Sequence, residues 1–336
     1  MIDVIIPTCN RQDLVTGTLR SLQENTIQDF KVWVVDQSDD ARTAAAVATM
    51  AKQDPRIIYL HCSPTGVNIA RNIGITAGNS PIVALTDDDC TVAADWLASL
   101  LADYETYPQC DSIFGRIEPV AVSETAVSPQ AFKEIARMQQ ILPMAAKDSP
   151  QYHLFGEDRF NLGFGHGANM SFRRSAFTKY GLFDEFLGAG APLRSWPERD
   201  IGYRILAAGG KILYSPNVYV YHTHWRTWPS VKNTFKNYGF GTGAAIGKYI
   251  RTGDKASLKL LGEWIVQMGI RQVLSGILKW QSWQKTYVGL LQFVYPWIGL
   301  WQSRQYDIDR QYRVYLGKRG HVRPKPAINS TPHTNE

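Results

Sequence analysis

Three consecutive aspartates, Asp87-Asp88-Asp89, follow the apolar run Ile82 to Leu85 and a single threonine. A strand of that composition delivers them to the edge of a sheet, where like charges repel and raise one another's pKa unless a cation stands among them. Carboxylate oxygens are hard ligands and suit a divalent ion. On an extended backbone Asp87 and Asp89 point to one side and Asp88 to the other; the plainer alternative is a solvated acidic turn. A second pair of acids, Glu198 and Asp200, stands at the head of a helical pattern running to Ala208. A carboxylate there could act as a general base on a hydroxyl, or simply favour the positive end of the helix. Arg71 offers a cation for an anionic ligand or for a structural ion pair with the aspartates. His222 closes an apolar stretch as a metal ligand or phosphate donor, or as an ordinary core residue.

The elements that must carry these groups alternate. Val4 to Pro7, Lys31 to Val35, Ile57 to Leu60 and Ile82 to Leu85 read as strands, and Arg11 to Glu24, Ala41 to Lys52 and Asn68 to Ala77 as helices between them. That order predicts a mostly parallel α/β sheet flanked by helices. Polar clusters follow the strands at Thr8 to Arg11, Asp36 to Asp39, Cys62 to Gly66 and Asp87 to Asp89. In open sheets of this class the ligand crevice lies at the carboxyl ends of the strands, so four segments converge on one site. From Glu118 to Phe160 the alternation stops, with one helix predicted from Pro129 to Met144. Lys211 to Tyr221 contains one or two strands, and no internal repeat is visible.

The chain has 336 residues, 44% hydrophobic, 20% charged and 12% aromatic, as expected for a globular protein with a sizeable core. Met1-Ile2-Asp3 leads straight into the first strand without the basic flank and cleavage site of a signal peptide, which predicts a cytoplasmic protein. Cys9, Cys62, Cys90 and Cys110 form no C-x-x-C pair, so reduced thiols are expected. The net charge of +6 is unevenly placed: residues 1–224 hold 19 basic against 25 acidic side chains, and residues 225–336 hold 17 against 5. The basic character belongs to the last third.

Taken in order over residues 2–245, the motifs resemble a family 2 glycosyltransferase of the GT-A fold, an inverting enzyme that uses nucleotide-diphosphate sugars. Val4-Ile5-Ile6-Pro7-Thr8-Cys9-Asn10-Arg11 is similar to that family's opening strand and nucleotide loop, and Val34-Val35-Asp36-Gln37-Ser38 to its second strand. Gly66 with Ala70-Arg71-Asn72-Ile73-Gly74 is similar to its G-x-x-x-A-R-N-x-G helix, and Asp87-Asp88-Asp89 to its D-x-D metal motif. The resemblance implies a donor, UDP- or dTDP-linked, held by Pro7, Thr8, Asn10, Arg11, Asp36, Ser38, Arg71, Asp87 and Asp88. It implies Mn²⁺ or Mg²⁺ on Asp89, assisted by Asp87 and His222, to neutralise the departing diphosphate. Gly167, Ala168 and Asn169 correspond to the segment beneath the donor sugar. Matching Asp200 to Arg204 onto the family's D-L-x-Y-R ending places the base on Glu198, with Asp200 as competitor. The usual acid pair is altered here, since Pro197 replaces its first member. A non-catalytic sugar-nucleotide-binding protein and a nucleotidyltransferase are the alternatives, although Pro7 to Arg11 is not the glycine-rich basic loop of the latter.

On this reading residues 1–118 form the nucleotide-sugar-binding half, 119–245 the acceptor and catalytic half, 246–323 a basic aromatic helical extension and 324–336 a disordered tail. Leu258 to Trp280 and Thr286 to Trp301 are apolar and tryptophan-rich but broken by Glu263, Arg271 and Lys279. A spanning helix needs about 20 apolar residues, so an amphipathic extension lying on an anionic membrane is expected rather than a crossing. Packing against the domain or a second subunit is the competing arrangement, and nucleic acid is not the expected partner. The acceptor would be a saccharide or a lipid-linked sugar at the inner face of the cell membrane.

Overall fold

The computed structural model describes residues 1–63, 65–122, 127–142, 147–278, 282–320 and 327–329. The first half is the expected alternation: β1 (Ile2–Thr8), α1 (Gln12–Gln23), β2 (Phe30–Asp36), α2 (Arg42–Gln53), β3 (Ile57–Ser63), α3 (Val67–Ala77) and β4 (Ile82–Thr86). Every residue of β1 and of β4 is buried. Strands that are apolar on both faces require helices on both sides, which is what a parallel sheet with crossover helices provides. β3, β2, β1 and β4 lie parallel in that order.

Beyond β4 come β5 (Cys90–Val92), α4 (Trp96–Thr106), β6 (Ser112–Ala121), α5 (Pro129–Ile141), β7 (His153–Phe155), β8 (Asn169–Arg173), α6 (Arg174–Tyr180), α7 (Pro197–Ala207) and β9 (Ile212–His224). β8 inserts antiparallel between β4 and β6, while β9 runs parallel to β6 and antiparallel to β5. Lys211 to Tyr221 therefore resolves into one long strand. The register with β5 sets His222 directly opposite Cys90, one residue past Asp89. α5 covers the helix predicted from Pro129 as far as Ile141; Met144 lies outside the described residues.

The last third is built on α8 (Trp228–Arg251), a helix of 24 residues, followed by α9 (Leu258–Trp264), a π-helical stretch Ile265–Ile270, α10 (Arg271–Leu278) and α11 (Trp283–Gln302). A two-stranded hairpin, β10 (Tyr306–Asp309) with β11 (Val314–Lys318), closes this part, so it is not wholly helical. The expected divisions at 118/119 and 245/246 fall inside β6 and α8, so neither is a break in the chain's packing. Of the tail expected to be disordered, β12 (Ala327–Asn329) pairs antiparallel with β3, because that edge strand leaves backbone groups to satisfy. The other residues from Pro324 onward, like Lys279 and Trp280, lie outside the described residues.

α8 and α11 approach closely because glycines line both. A side chain at Gly243 would overlap the Pro296 carbonyl, and one at Gly299 the Phe240 carbonyl. Beneath this pair lies a buried polar knot. Lys248 of α8, fully buried, pairs with Asp184 and, at 2.7 Å, with Asp200 of α7. Asp200 also accepts from Arg204 and Tyr249, and Asp184 from the Tyr315 amide. Burial pushes the Asp184 carboxyl up against the opposing pull of Lys248. The extension is thus pinned to the segment that carries Glu198.

Candidate active site

The carboxyl ends of β1 and β4 meet at a cavity of about 330 Å³ bordered by Thr8, Arg11, Gly66, Asp87, Asp88, Asp89, Gly190 and His222. After Thr86 the chain turns at Asp88 and Asp89 before β5 begins, so the extended alternation that would have separated Asp88 from its neighbours does not hold. Asp88 points inward to accept from Thr8 Oγ1 at 2.8 Å and from Arg11 Nη1 at 2.9 Å. Arg11 Nη1 also reaches Asp89 Oδ2 at 3.2 Å. Asp87 turns the other way, to Arg71 Nη2 at 3.2 Å. Burial pushes the Asp88 carboxyl up to about 6, overcoming the pull of Arg11, with Asp89 adding to the rise.

Asp89 is the most heavily engaged of the three. Its carboxylate receives Trp225 Nε1 at 3.2 Å and faces His222 Nε2 at 3.3 Å, while His222 Nδ1 is buried without a hydrogen-bond partner. Asp89, Cys90 and His222 bring their ligand atoms within 4.8 Å of one another. Burial, with Asp87 and Asp89 adding to it, raises the Cys90 thiol well above its ordinary range. Of these donors the Asp89 carboxylate oxygen suits Mn²⁺ or Mg²⁺, and the His222 imidazole is a softer ligand beside it.

Arg71 links this half of the site to the other. Buried on α3, it pairs with Asp87 and donates to the Gly167 carbonyl at 3.4 Å. A methyl group added at Gly167 would stand 3.1 Å from Arg71 Nη2 and 3.6 Å from Glu198 Oε2. Glu198 therefore faces the same small space as Arg71, from the first turn of α7. Trp196 caps that turn with a left-handed backbone, φ +79, which is costly for a bulky side chain. Asp200, two residues on, points away into the knot with Lys248 and has no exposure.

Other residues singled out by sequence sit behind the cavity wall. Asp36 is fully buried, accepting from the Ser38 amide at 2.9 Å and from Tyr59 at 2.9 Å. Ser38 in turn accepts from the Asn10 amide at 2.7 Å, and Asn10 has φ +56. These three shape the loop that Pro7 and Thr8 present to the cavity. Asn169 is also fully buried, donating to the carbonyls of Arg116 and Val218 and accepting from Trp96, so it fastens β8 to its neighbours rather than facing a ligand. Ala168 is buried as well, its carbonyl accepting from Thr86. Gln37 and Thr65, from two of the four segments expected to converge, are on the wall, and sequence reasoning missed Arg226 and Gly190 there and Trp225 on Asp89. A side chain at Gly190 (φ +77) would come 3.3 Å from the Gly66 Cα, so two glycines let distant loops touch at the rim. A pairing between residues this far apart leaves no local pattern to read.

The model of the family described as "Glycosyl transferase family 2" matches residues 3–181, more than half of the chain. The chain belongs to glycosyltransferase family 2. This family 2 chain is 23% identical over 178 residues to a glucosyl-dolichyl phosphate glucuronosyltransferase from Haloferax volcanii, covering 53% of each. It is 28% identical over 225 residues to the succinoglycan biosynthesis protein ExoM of Rhizobium meliloti, covering 66% of each. The alignments thus span between about half and two thirds of those relatives. Its fold is similar to a Pyrobaculum calidifontis mannosyltransferase solved in complex with GDP-Man and Mn²⁺, with a TM-score of 0.57, 16% identity, and coverage of 90% of this chain and 87% of that one. The GT-A architecture expected from sequence is therefore the architecture found.

Proposed function

We propose that this chain is an inverting glycosyltransferase that moves a sugar from a nucleotide-diphosphate donor, UDP- or dTDP-linked, to an acceptor hydroxyl. The observation that carries the reading is the pairing of Arg71 with Asp87 on one side and its approach, across Gly167, to Glu198 on the other. A single displacement needs groups for the departing diphosphate and for the incoming hydroxyl in one space, and this arginine stands between the two sets.

Asp89 of the D-x-D pattern, with His222, would hold Mn²⁺ or Mg²⁺, which when bound would supply positive charge to the leaving diphosphate, while Asp87 pairs with Arg71. Arg11 and Arg226 line the same cavity and add charge-assisted hydrogen bonds to phosphate oxygens. Glu198 takes the proton from the acceptor hydroxyl as it attacks the anomeric carbon. Asp200 does not serve as base on this reading, because Lys248, Arg204 and Tyr249 already hold it without access to solvent. A separate cavity of about 430 Å³, bordered by Phe160, Trp196, Arg199, Trp264 and Gln267, opens beside the first turn of α7 and is where the acceptor would lie. Aromatic faces with amide and guanidinium edges suit a sugar ring.

Among the described residues no helix is long and apolar enough to cross a membrane. A cytoplasmic station at the inner membrane face, with a saccharide or lipid-linked acceptor, belongs to this proposal, and one relative is named for a dolichyl phosphate substrate. The test is release of nucleoside diphosphate from a panel of UDP-, dTDP- and GDP-sugars with Mg²⁺ or Mn²⁺, with and without acceptors. Nucleotide binding without turnover on any donor would favour a non-catalytic binding protein.

A further inference from the structure

We propose that the α10–α11 hairpin is a membrane-docking face, with an anionic-headgroup cradle at one end. The inference deepens the proposed membrane station and is independent of the transfer chemistry. Val266, Ile270, Leu274, Ile277 and Leu278 are all exposed along the first arm, which is the π-helical stretch Ile265–Ile270 continued by α10. Trp283, Tyr287, Leu290, Val294, Trp297 and Trp301 form a second exposed stripe along α11, the last two at 50% and 62% exposure. Single exposed apolar residues need no explanation, but two continuous stripes do.

The stripes share one side of the hairpin. The contact line between the arms runs through Gly269, Val273 and Gly276 on one and Thr286, Gly289 and Phe293 on the other. In each arm the apolar stripe follows the contact line by one residue, about 100° round the helix. Because the arms are antiparallel, equal rotations in the same sense turn both stripes to the same side. On α11, Gln292, Pro296 and Gly299 face α8, and these positions lie on the opposite side of the wheel from Leu290, Val294, Trp297 and Trp301. Leu290, Val294, Trp297 and Trp301 therefore point away from α8, while Trp283 and Tyr287, at the other end of the stripe, also touch Trp228.

At the end of the α11 stripe, Trp301 also borders a groove of about 470 Å³ with Arg304, Gln305, Lys318 and Arg319. Among the described residues Asp307, 3.5 Å from Arg319, is the acid in an ion pair there, against the three cations Arg304, Lys318 and Arg319. Tryptophans at the edge of an apolar stripe, next to lysine and arginine, suit the boundary between acyl chains and headgroups. Charge selects the occupant. A second copy would bring the same basic groove against this one, whereas a bilayer bearing phosphate headgroups brings the opposite sign.

Co-sedimentation of the full chain with vesicles of phosphatidylcholine, alone or mixed with phosphatidylglycerol, tests this without using enzymatic activity, so its outcome and that of the donor screen are separable. Expected is binding to the phosphatidylglycerol vesicles, weakened about tenfold or more by Trp297→Ser with Trp301→Ser. Arg304→Glu with Lys318→Glu should erase the preference for anionic vesicles, and both pairs should retain the wild-type melting temperature. The proposal is overturned by wild-type protein that binds neither vesicle or both equally, or by tryptophan variants that bind as wild type. It is also overturned by a lipid-free dimer in sedimentation velocity that Trp297→Ser dissociates, which would make the face a subunit interface.

Discussion

Lys248 Nζ lies 2.7 Å from Asp200 Oδ1, and neither side chain is exposed. The same ammonium meets Asp184, so one buried cation serves two buried carboxylates. Removing it leaves Asp184 without its cation and Asp200 with Arg204 alone. Lys248→Met should therefore destabilise the protein by about 3–5 kcal/mol in chemical denaturation. A loss below about 1 kcal/mol would mean that the acids are protonated or hydrated instead.

Glu198 and Asp200 are separated by a simple substitution pair. Glu198→Gln keeps shape and should lower transfer about 10²–10⁴-fold while nucleotide binding, read by calorimetry, is unchanged. Asp200→Asn should show itself first as a lower melting temperature, since it breaks the knot with Lys248, Arg204 and Tyr249. Full transfer by the Glu198 variant would remove it from the role of base.

Asp88 predicts a pH dependence of opposite sign to that of an ordinary salt-bridged acid. Its carboxyl is raised from 3.8 to about 6 by burial, so the native state binds more protons than the unfolded state between those values. Stability from this group is fully present below about pH 4 and is lost as pH rises through about 6, by at most about 3 kcal/mol. Asp88→Asn should flatten that limb of the metal-free melting curve. An unchanged slope would show that Arg11 compensates the charge completely.

The helix contact between α8 and α11 is tested by two glycines. Gly243→Ala meets the Pro296 carbonyl and should cost about 1–3 kcal/mol or more. Gly262, inside α9, has nothing within 4 Å of an added methyl. Alanine there should be neutral or stabilise by up to about 1 kcal/mol. Equal effects at both sites would show that α8 and α11 are less closely packed in solution.

The four parallel strands, their helices and the convergence of Thr8, Arg11 and the aspartates were legible because apolar runs and the polar residues after them are local signals. The orientation within the triplet was not, since it depends on a turn at Asp88 and Asp89 that alternation cannot reveal. The family resemblance, rather than any local pattern, implies ligand contacts for Asp36 and Asn169. In the fold Asp36 accepts from the Ser38 amide, and Asn169 donates to the carbonyls of Arg116 and Val218. The resemblance puts Glu198 ahead of Asp200 as base, and what holds Asp200 in a buried ion pair is Lys248, 48 positions further along the chain, which no local pattern reveals. The long α8 went unread because its glycines, which look like helix breakers, are there to admit α11.

The central claim is a division of labour in which Asp89, through a divalent ion, serves the leaving group and Glu198 serves the nucleophile. The direct measurement is nucleoside diphosphate release by wild type, Asp89→Ala and Glu198→Gln on an accepted donor, in EDTA and after addition of Mn²⁺. Wild type should be silent in EDTA and restored by Mn²⁺, Asp89→Ala silent in both, and Glu198→Gln able to bind donor yet deficient in acceptor-dependent release. Undiminished turnover in EDTA, or by Asp89→Ala, would contradict the account.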